Sequence, residues 1–325
     1  MGTSLRAEEA TEAIDAVIDR IGSAVIVERE FLETVVTGLL ARGHVLLEDV
    51  PGTGKTLTAV ALGDALDLTY NRIQFTPDLL PSDITGTHVY DEHEGEFRFQ
   101  RGPVFANIVL ADEINRAPPK TQSALLEAMD EGQVTVGGET YDLPEPFFVI
   151  ATQNPIEQEG TFQLPEAQRD RFVVKTSMGY PDRAGELELI DRRAGRTAMM
   201  PTVESVVTAE EVTQLRSLPE HVDMKTNVRE YLVDLARRSR EDPRVDVGVS
   251  PRGIQRFFEA ARARALVAGR TYVAPDDVKA IAPAVMTHRL VLTAEAGIRD
   301  VEASNVVADI LDNVDVPGAT AQAED

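Results

Sequence analysis

Residues 49–57 combine residue types at a spacing that can bind the phosphates of a nucleoside triphosphate. They read DVPGTGKTL and stand between an apolar run and a helix-like pattern. Gly52 and Gly54 let the backbone turn tightly and point N–H groups at phosphate oxygens. Lys55 can reach the β- and γ-phosphates, and the Thr56 hydroxyl can bind Mg²⁺. The nucleotide contacts expected from this loop are Pro51, Gly52, Thr53, Gly54, Lys55, Thr56 and Leu57.

Asp49 departs from the strict form of this pattern, which has glycine at the same position. Because a carboxylate and phosphate oxygens repel one another, we expect the Asp49 side chain to point away and to act as a local cap. The alternative interpretation of the whole stretch is a glycine-rich turn in which Lys and Thr follow by chance. The preceding strand and the following helix favour the phosphate loop.

Two more apolar runs end in polar side chains that suit hydrolysis. The first is followed by Asp112 and Glu113, and the second leads to Asn154. In parallel sheets the chemistry lies at the carboxyl ends of the strands. Asp112 can hold Mg²⁺ directly or through water, and Glu113 can orient and polarise the attacking water. Asn154 can lie between Glu113 and the γ-phosphate, although a turn residue at a strand end is the alternative.

Two arginines farther along the chain can complete such a site. Arg171 precedes the last predicted strand, where it can be presented to the γ-phosphate of a neighbouring subunit and stabilise transition-state charge. Arg169 is a close competitor for this role, and a salt bridge within the domain is the alternative for either. Arg252 opens a helix in the second half of the chain. It can close over the nucleotide if that half is mobile, or it is an ordinary surface arginine.

The elements that must position these residues alternate along the first half of the chain. Five short apolar runs are separated mostly by helical patterns, which favours an α/β fold: a phosphate-loop core with a mostly parallel five-stranded sheet between helices. Two β-hairpins are predicted as inserts, at about 85–101 and 132–146, and function and decoration are equally favoured for them. The predicted strands are 44–48, 70–75, 107–111, 147–151 and 172–176, after amphipathic helices at 9–20 and 28–42.

The second half of the chain loses the strand signal. Helical patterns follow one another there, so we expect an all-helical lid domain. The predicted helices are 182–197, 208–217, 225–240, 251–268, 275–287 and 299–312. The resulting division is a nucleotide-binding core over 1–178, a helical lid over 179–313 and a disordered tail over 314–325.

The composition limits the classes of site and of partner. With 32 basic and 55 acidic residues the net charge is −23, and the acidic excess favours a protein of salt-loving cells. The charge then says little about partners, although it argues weakly against nucleic acid. The absence of cysteine excludes disulfides, thiolate zinc sites and cysteine nucleophiles. The five histidines lack metal-ligand spacing, so we interpret them as structural or solvated.

The chain also lacks the apolar segments of a membrane protein. No run approaches the ~18 apolar residues that span a bilayer, and the acidic N-terminus has no apolar signal-peptide region. We therefore expect a cytoplasmic protein that does not insert into a membrane.

The motifs together resemble those of the MoxR family of AAA+ ATPases. The likeness covers about residues 20–290. It is carried by the segments 48–56, 73–83, 111–120, 151–155 and 164–168. Two departures stand out: residues 27–29 replace the family's usual Gly-Gln pair near the adenine, and Arg169 replaces a usual apolar residue.

The resemblance implies a hexameric ring that binds ATP and Mg²⁺ between subunits. It further implies that the two hairpins face the ring pore or the substrate. Members of the family are viewed as chaperone-like remodelling ATPases for protein clients, often acting with partners that carry a von Willebrand factor A domain. By resemblance the residue roles are Walker A for Lys55, Walker B for Asp112 and Glu113, sensor 1 for Asn154, arginine finger for Arg171 and sensor 2 for Arg252.

Other functions compete with protein remodelling. A nucleic-acid motor would need a basic hairpin, but the first hairpin mixes Arg98 and Arg101 with four acidic residues, and the second has neither Lys nor Arg. A metal-chelatase motor subunit remains an alternative, because its partner rather than its own sequence distinguishes it. A GTPase-type switch fits poorly, because the chain has no Asn-Lys-x-Asp segment and such switches lack a helical lid.

Overall fold

The first half of the chain forms an α/β core that presents the phosphate loop at one edge of a sheet. The computed structural model describes residues 7–155, 161–162, 164–195 and 203–318. The elements of this half are, in chain order, α1 (Ala7–Ala24), α2 (Arg29–Leu40), β1 (His44–Glu48), α3 (Lys55–Ala65), β2 (Tyr70–Gln74), α4 (Pro81–Thr85), β3 (Gly86–Asp91), β4 (Glu96–Arg101), β5 (Ile108–Asp112), α5 (Pro119–Glu131), β6 (Gln133–Val136), β7 (Glu139–Asp142), β8 (Phe148–Gln153), α6 (Glu166–Arg169) and β9 (Phe172–Thr176).

Five of these strands form the predicted parallel sheet. Their order is β2-β5-β8-β1-β9, and every neighbouring pair is parallel. The central strands β1, β5 and β8 are almost wholly buried, which explains their continuous apolar runs. The predicted α/β class and all five strands are confirmed; the bounds of β1 and β9 agree with the prediction, and the ends of the other three differ by at most two residues.

The two predicted hairpins are present and pack against each other. β3 pairs with β4 and β6 with β7, both antiparallel. Tyr141 stacks on Phe99 with ring centroids 3.9 Å apart, and its hydroxyl lies 3.2 Å from Nε2 of His88. The inserts therefore form one unit rather than two independent loops.

The second half of the chain forms the predicted helical lid, in which short strands also occur. Two short strands pair antiparallel across a separation of more than forty residues, and they close the loops after α9 and before α12. Each is too short to give a strand signal in the sequence. The elements are α7 (Arg183–Ala194), α8 (Ala209–Leu215), α9 (Thr226–Glu241), β10 (Val245–Val247), α10 (Pro251–Val267), α11 (Pro275–Met286), β11 (Val291–Leu292), α12 (Ala294–Ile298) and α13 (Ala303–Asn313).

The lid shares an apolar core with the first half of the chain. Buried side chains of α1, α2, α10 and α11 belong to one continuous cluster with those of the sheet. Arg289, only 3% exposed, extends this joint by binding Asp170 at 2.8 Å and the carbonyl of Phe172 at 2.8 Å. The lid is thus attached to β9 by buried polar contacts as well as by apolar packing.

The chain ends show little that bears on the site. The tail predicted for 314–325 is described only as far as Gly318, and it is irregular there; residues 319–325 lie outside the described part. Residues 196–197 of the helix predicted over 182–197 also lie outside it. Within the described ranges, helices long and apolar enough to cross a membrane are absent.

Candidate active site

The phosphate loop has the backbone conformation that its glycines predict. Gly52 and Gly54 adopt left-handed φ angles of 88° and 103°, and Gly54 is the residue from which α3 begins. Such angles are strained for any residue with a Cβ. The Lys55 ammonium donates to the carbonyl oxygens of Asp49 at 3.0 Å and Val50 at 2.9 Å. The loop therefore wraps around the amine that is predicted to meet the β- and γ-phosphates.

The loop fits a nucleotide phosphate group by its backbone. The start of α3 carries the partial positive charge of a helix N-terminus, and its first N–H groups need acceptors. Within the described residues, no side chain caps this helix start. Thr56 lies in the first turn of α3, so its hydroxyl is presented at the same end as those N–H groups. The residues predicted as nucleotide contacts, Pro51 to Leu57, all belong to this loop and first turn.

Asp112 ends the buried strand β5 with a carboxylate that is already oriented. Thr152 donates its hydroxyl to one oxygen at 2.6 Å, and Arg72 binds the other oxygen at 2.6 Å. Both partners lie on the strands next to β5, so the sheet itself fixes the carboxylate. Only 8% of Asp112 is exposed. A nearly buried carboxylate at this edge provides the hard oxygen ligand that Mg²⁺ prefers.

Glu113 has a strained backbone and a held side chain. Its φ angle is 56°, a left-handed conformation that costs about 1–3 kcal/mol for a residue with a Cβ. The main-chain N–H donates to the Thr152 hydroxyl at 2.9 Å. The carboxylate accepts from Gln74 at 2.8 Å and from Arg116 at 3.0 Å. Strain of this kind, held by fixed partners, is typical of functional sites.

The strand register brings the predicted groups to one edge of the sheet. Leu47 of β1 is level with Thr152 of β8, and Ala111 of β5 is level with Ala151. The phosphate loop, the Asp112-Glu113 pair and Asn154 therefore all follow the carboxyl ends of their strands. Asn154 is 7% exposed there.

The oxygen ligands at this edge fit Mg²⁺ rather than a metal held by protein alone. The predicted ligands are the hydroxyl of Thr56 and the carboxylate of Asp112. Within the described ranges, no group of three or more His, Asp or Glu side chains could hold a metal ion. Mg²⁺ commonly binds through one or two protein oxygens together with substrate phosphates, and this donor set matches that arrangement.

The two predicted arginines lie together near the amino ends of the parallel strands, opposite the carboxyl ends that carry the phosphate loop. Asp130, near the end of α5, forms an ion pair with Arg171 at 3.1 Å and a hydrogen bond with Arg252 at 2.9 Å. Arg171 directly precedes β9, whose first residue is level with His44, the first residue of β1. The phosphate loop follows the opposite end of β1, five residues or roughly 17 Å away.

This placement bears on what each arginine can reach. Arg252 does not lie over the phosphate loop of its own chain, because it shares Asp130 with Arg171 on the opposite edge. Arg169, the competitor of Arg171, ends the short helix α6 on the same side. The choice between Arg169 and Arg171 therefore stays open, whereas the pairing of Arg171 with Arg252 is direct.

Comparison with known proteins agrees with these motifs. The model of an ATPase family associated with various cellular activities (AAA) matches residues 44–174, and the AAA lid domain model matches residues 237–310. The chain is 41% identical over 317 residues to the chaperone MoxR1 of Mycobacterium tuberculosis, across 95% of this chain and 83% of that protein. The chain belongs to the MoxR family of AAA ATPases.

Two further similarities span nearly the whole chain. The uncharacterized protein YeaC of Bacillus subtilis is 46% identical over 300 residues, which cover 92% of this chain and 93% of that protein. A crystal structure from Cytophaga hutchinsonii aligns with a TM-score of 0.89 and 38% identity, across 96% of this chain and 97% of that one. This MoxR-family chain is thus an ATPase that binds ATP. The interpretation of its acidic composition as salt adaptation is not supported by these similarities and stays a prediction.

Sequence reasoning missed the partners that hold the two carboxylates predicted to be catalytic, Asp112 and Glu113. Arg72 and Gln74 bind Asp112 and Glu113 from the edge strand β2. A signal was available, because polar residues two apart on a strand share a face. Their hydrogen-bond partners, Asp112 and Glu113, lie about forty residues farther along the chain and could not be identified without the strand order. Asp130 gave no signal, since it stands among other acidic residues near a helix end.

The buried histidines of the MoxR-family core are structural, as expected. His44 accepts from the N–H of Val149 through Nδ1 at 3.0 Å and donates through Nε2 to the carbonyl of Met129 at 3.0 Å. Burial lowers the pKa of His44 to about 4, so the ring is neutral at pH 7. His288, also buried, lies 3.0 Å from the carbonyl of Phe172 through Nε2, and burial beside Arg289 lowers its pKa as well.

Proposed function

We propose that this MoxR-family protein hydrolyses ATP with Mg²⁺ at sites shared between neighbouring subunits of a ring, and that hydrolysis drives remodelling of a protein client. The observation that carries the shared site is the pairing of Arg171 and Arg252 through Asp130. This pair lies near the amino ends of β1 and β9, whereas the phosphate loop of the same chain follows the carboxyl end of β1, so we expect the pair to meet the loop of another subunit.

The residues of the phosphate-loop edge have distinct roles in this proposal. Backbone N–H groups of the loop and Lys55 bind and orient the phosphates, while Thr56 and Asp112 hold Mg²⁺, which would neutralise charge on the phosphates. Glu113 orients the attacking water. Gln74 and Arg116 both donate to the same Glu113 oxygen, Oε2, so they fix the carboxylate while the second oxygen, Oε1, can accept from the attacking water.

Asn154 and the two arginines act on developing charge. Asn154, at the end of β8, contacts the γ-phosphate or the water from within the same chain. Arg171 and Arg252 of the next subunit approach the same phosphate from outside and stabilise charge in the transition state. The negative charge of Asp130 offsets the repulsion between the Arg171 and Arg252 guanidinium groups, so both can lie close together before a phosphate binds.

The hairpin unit supplies the surface for a protein client. Tyr90 and Phe97 form an exposed aromatic pair near the tip of the first hairpin, with ring centroids 5.2 Å apart; Phe97 is 70% exposed and Tyr90 52%. Arg98 is bound to Glu94, so the tip does not offer it freely to a phosphate backbone. An aromatic tip with paired charge favours a polypeptide over a nucleic acid.

The client proposal is tested with a permanently unfolded polypeptide such as carboxymethylated α-lactalbumin. We expect it to stimulate ATP hydrolysis, and we expect Phe97→Ser to abolish that stimulation while leaving basal hydrolysis unchanged. Tyr272→Ser is the matched control, because Tyr272 is a comparably exposed aromatic residue of the lid. Equal stimulation of all three proteins would overturn the assignment of the hairpin surface.

The shared site is tested by specific activity at increasing protein concentration. Activity per subunit should rise as subunits assemble, and Glu113→Gln and Arg171→Ala should both abolish it. Activity that is independent of concentration and of Arg171 would leave a monomeric ATPase. The proposal places this activity in the cytoplasm, with a hexamer and a von Willebrand factor A domain protein as the expected assembly and partner.

A further inference from the structure

Asp49 occupies the phosphate-loop position that is glycine in the strict pattern, and it is the best-connected residue of the loop. Only 4% of it is exposed. Its carboxylate accepts three hydrogen bonds: from the Ser177 hydroxyl at 2.7 Å, from the N–H of Met178 at 2.7 Å and from the N–H of Gly179 at 3.1 Å. The side chain thus points away from the phosphates, as expected. It is not a local cap, however, because its partners lie about 130 residues farther along the chain.

The backbone of Asp49 contacts two other parts of the site. Its N–H donates to the carbonyl of Gln153 at 3.1 Å, directly before Asn154. Its carbonyl accepts from the Lys55 ammonium at 3.0 Å. One residue therefore touches the lysine that reaches the phosphates, the strand end that carries Asn154, and the segment 177–179.

The segment 177–179 also grips the other end of the phosphate loop. Met178 is buried, and its sulfur lies 3.9 Å from the hydroxyl of Thr58 in α3. Its terminal methyl lies 3.6 Å from the position that a Cβ on Gly54 would occupy. The segment is therefore fixed to the start of the loop through Asp49 and to its end through Met178.

This segment is the link by which the chain leaves the sheet for the lid. It follows β9 directly and leads to α7, which Asp182 caps by accepting from the N–H of Gly185 at 2.8 Å. Every residue of α7 is at least partly exposed, so packing holds this helix only weakly. The helix is held at its start by the residues that precede it, and near its end by Arg192, which donates to the carbonyl oxygen of Ser23 at 2.7 Å.

We propose that Asp49 is a positioning residue that couples occupancy of the phosphate loop to the segment 177–179 and to α7. When phosphate oxygens engage Lys55, its ammonium is drawn from the carbonyls of Asp49 and Val50, and the start of the loop adjusts. The Asp49 carboxylate carries that shift into 177–179, because two of its three bonds are to main-chain N–H groups. The coupling rests on ATP binding at this loop, but not on the ring, the arginines or the client.

The test uses the fluorescence of a single introduced tryptophan. The chain has no tryptophan, so Tyr180→Trp places a single one beside Gly179, at a position that is 73% exposed. We expect its emission to change when ATP and Mg²⁺ are added. Asp49→Asn replaces one acceptor oxygen with a donor, and Asp49→Gly removes the side chain; both should lose the emission change while still binding ATP, measured separately by calorimetry.

A carboxylate next to the reporter but away from the loop is the matched control. Asp182→Asn keeps a good helix cap and should keep the full response. A response of unchanged size in both Asp49 variants would overturn the coupling, as would a parent protein that binds ATP without any response. Loss of ATP binding in both variants would also overturn it, because Asp49 would then only shape the loop. Absence of ATP binding in the parent would overturn the nucleotide site itself.

Discussion

The shared site makes a numerical prediction for mixtures of inactive subunits. Glu113→Gln removes the carboxylate proposed to orient water, and Arg171→Ala removes the arginine at the opposite ends of the strands. Either protein alone is expected to be inactive, because each of its interfaces lacks one group. In an equal, randomly assembled mixture, one interface in four combines intact Glu113 from one subunit with intact Arg171 from its neighbour. About a quarter of the wild-type ATPase activity should therefore return.

A second mixture tests where Arg252 acts. Because Arg171 and Arg252 share Asp130, the proposed shared site has one subunit supply both arginines to the same neighbour. Mixing Arg171→Ala with Arg252→Ala should then restore nothing, since no subunit carries the intact pair. If Arg252 instead closes over the nucleotide of its own chain, about a quarter of the activity should return in this mixture as well.

The assay is phosphate release at saturating ATP and Mg²⁺, after subunit exchange, with the two proteins combined in varied ratios. Rescue should peak at the equal ratio and fall symmetrically on either side. Arg256→Ala is the control on the same helix, because Arg256 binds Glu259 within α10 at 2.8 Å and should be dispensable. A first mixture that stays inactive, although sizing shows mixed rings, would refute the shared site.

Three smaller changes test single contacts. Asp130→Asn should lower the turnover number roughly tenfold with little change in the KM for ATP, because both arginines lose their charged partner. The control Glu127→Gln, one turn earlier on α5, should leave the turnover number unchanged. Thr152→Val should lower the free energy of unfolding by about 2 kcal/mol in urea titrations, because it removes the bonds to Asp112 and to a main-chain N–H. The folded-state pKa of His44, about 4, lies below the unfolded value of 6.5, so its stabilisation is complete above pH 6.5 and is lost as the pH falls toward 4. About 2 kcal/mol should be lost between pH 7 and pH 5 in the wild type, and this part should be missing in His44→Gln.

The sheet and the phosphate edge were predictable because their signals are local. Each central strand is buried on both faces and therefore reads as an unbroken apolar run. The carboxylates of Asp112 and Glu113 follow such a run directly, so their place at the carboxyl edge needed only the parallel topology. The Gly52 and Gly54 turn was equally clear, since a left-handed backbone requires these residues.

The contacts that hold and connect the site were not predictable from the sequence. Asp130 meets Arg171 and Arg252 only because the end of α5, the start of β9 and the start of α10 converge, and these lie up to 122 residues apart in the chain. The Asp49 carboxylate was expected to make a local cap, but it binds the segment 177–179, which lies beside it only because β9 pairs parallel with β1. Pairings over such separations depend on strand order, which periodicity and motifs do not specify.

The strand β9 joins the two edges of the sheet on which the proposed mechanism depends. At its carboxyl end, the segment 177–179 is bonded to the phosphate loop through Asp49. At its amino end, Asp170 is paired with the buried Arg289 of the lid, next to Arg171. A shift of the lid therefore moves Arg252 together with the residues that lead into β9. The five-residue strand β9 thus connects the arginine pair proposed to meet a neighbour's phosphate with the phosphate loop of its own chain.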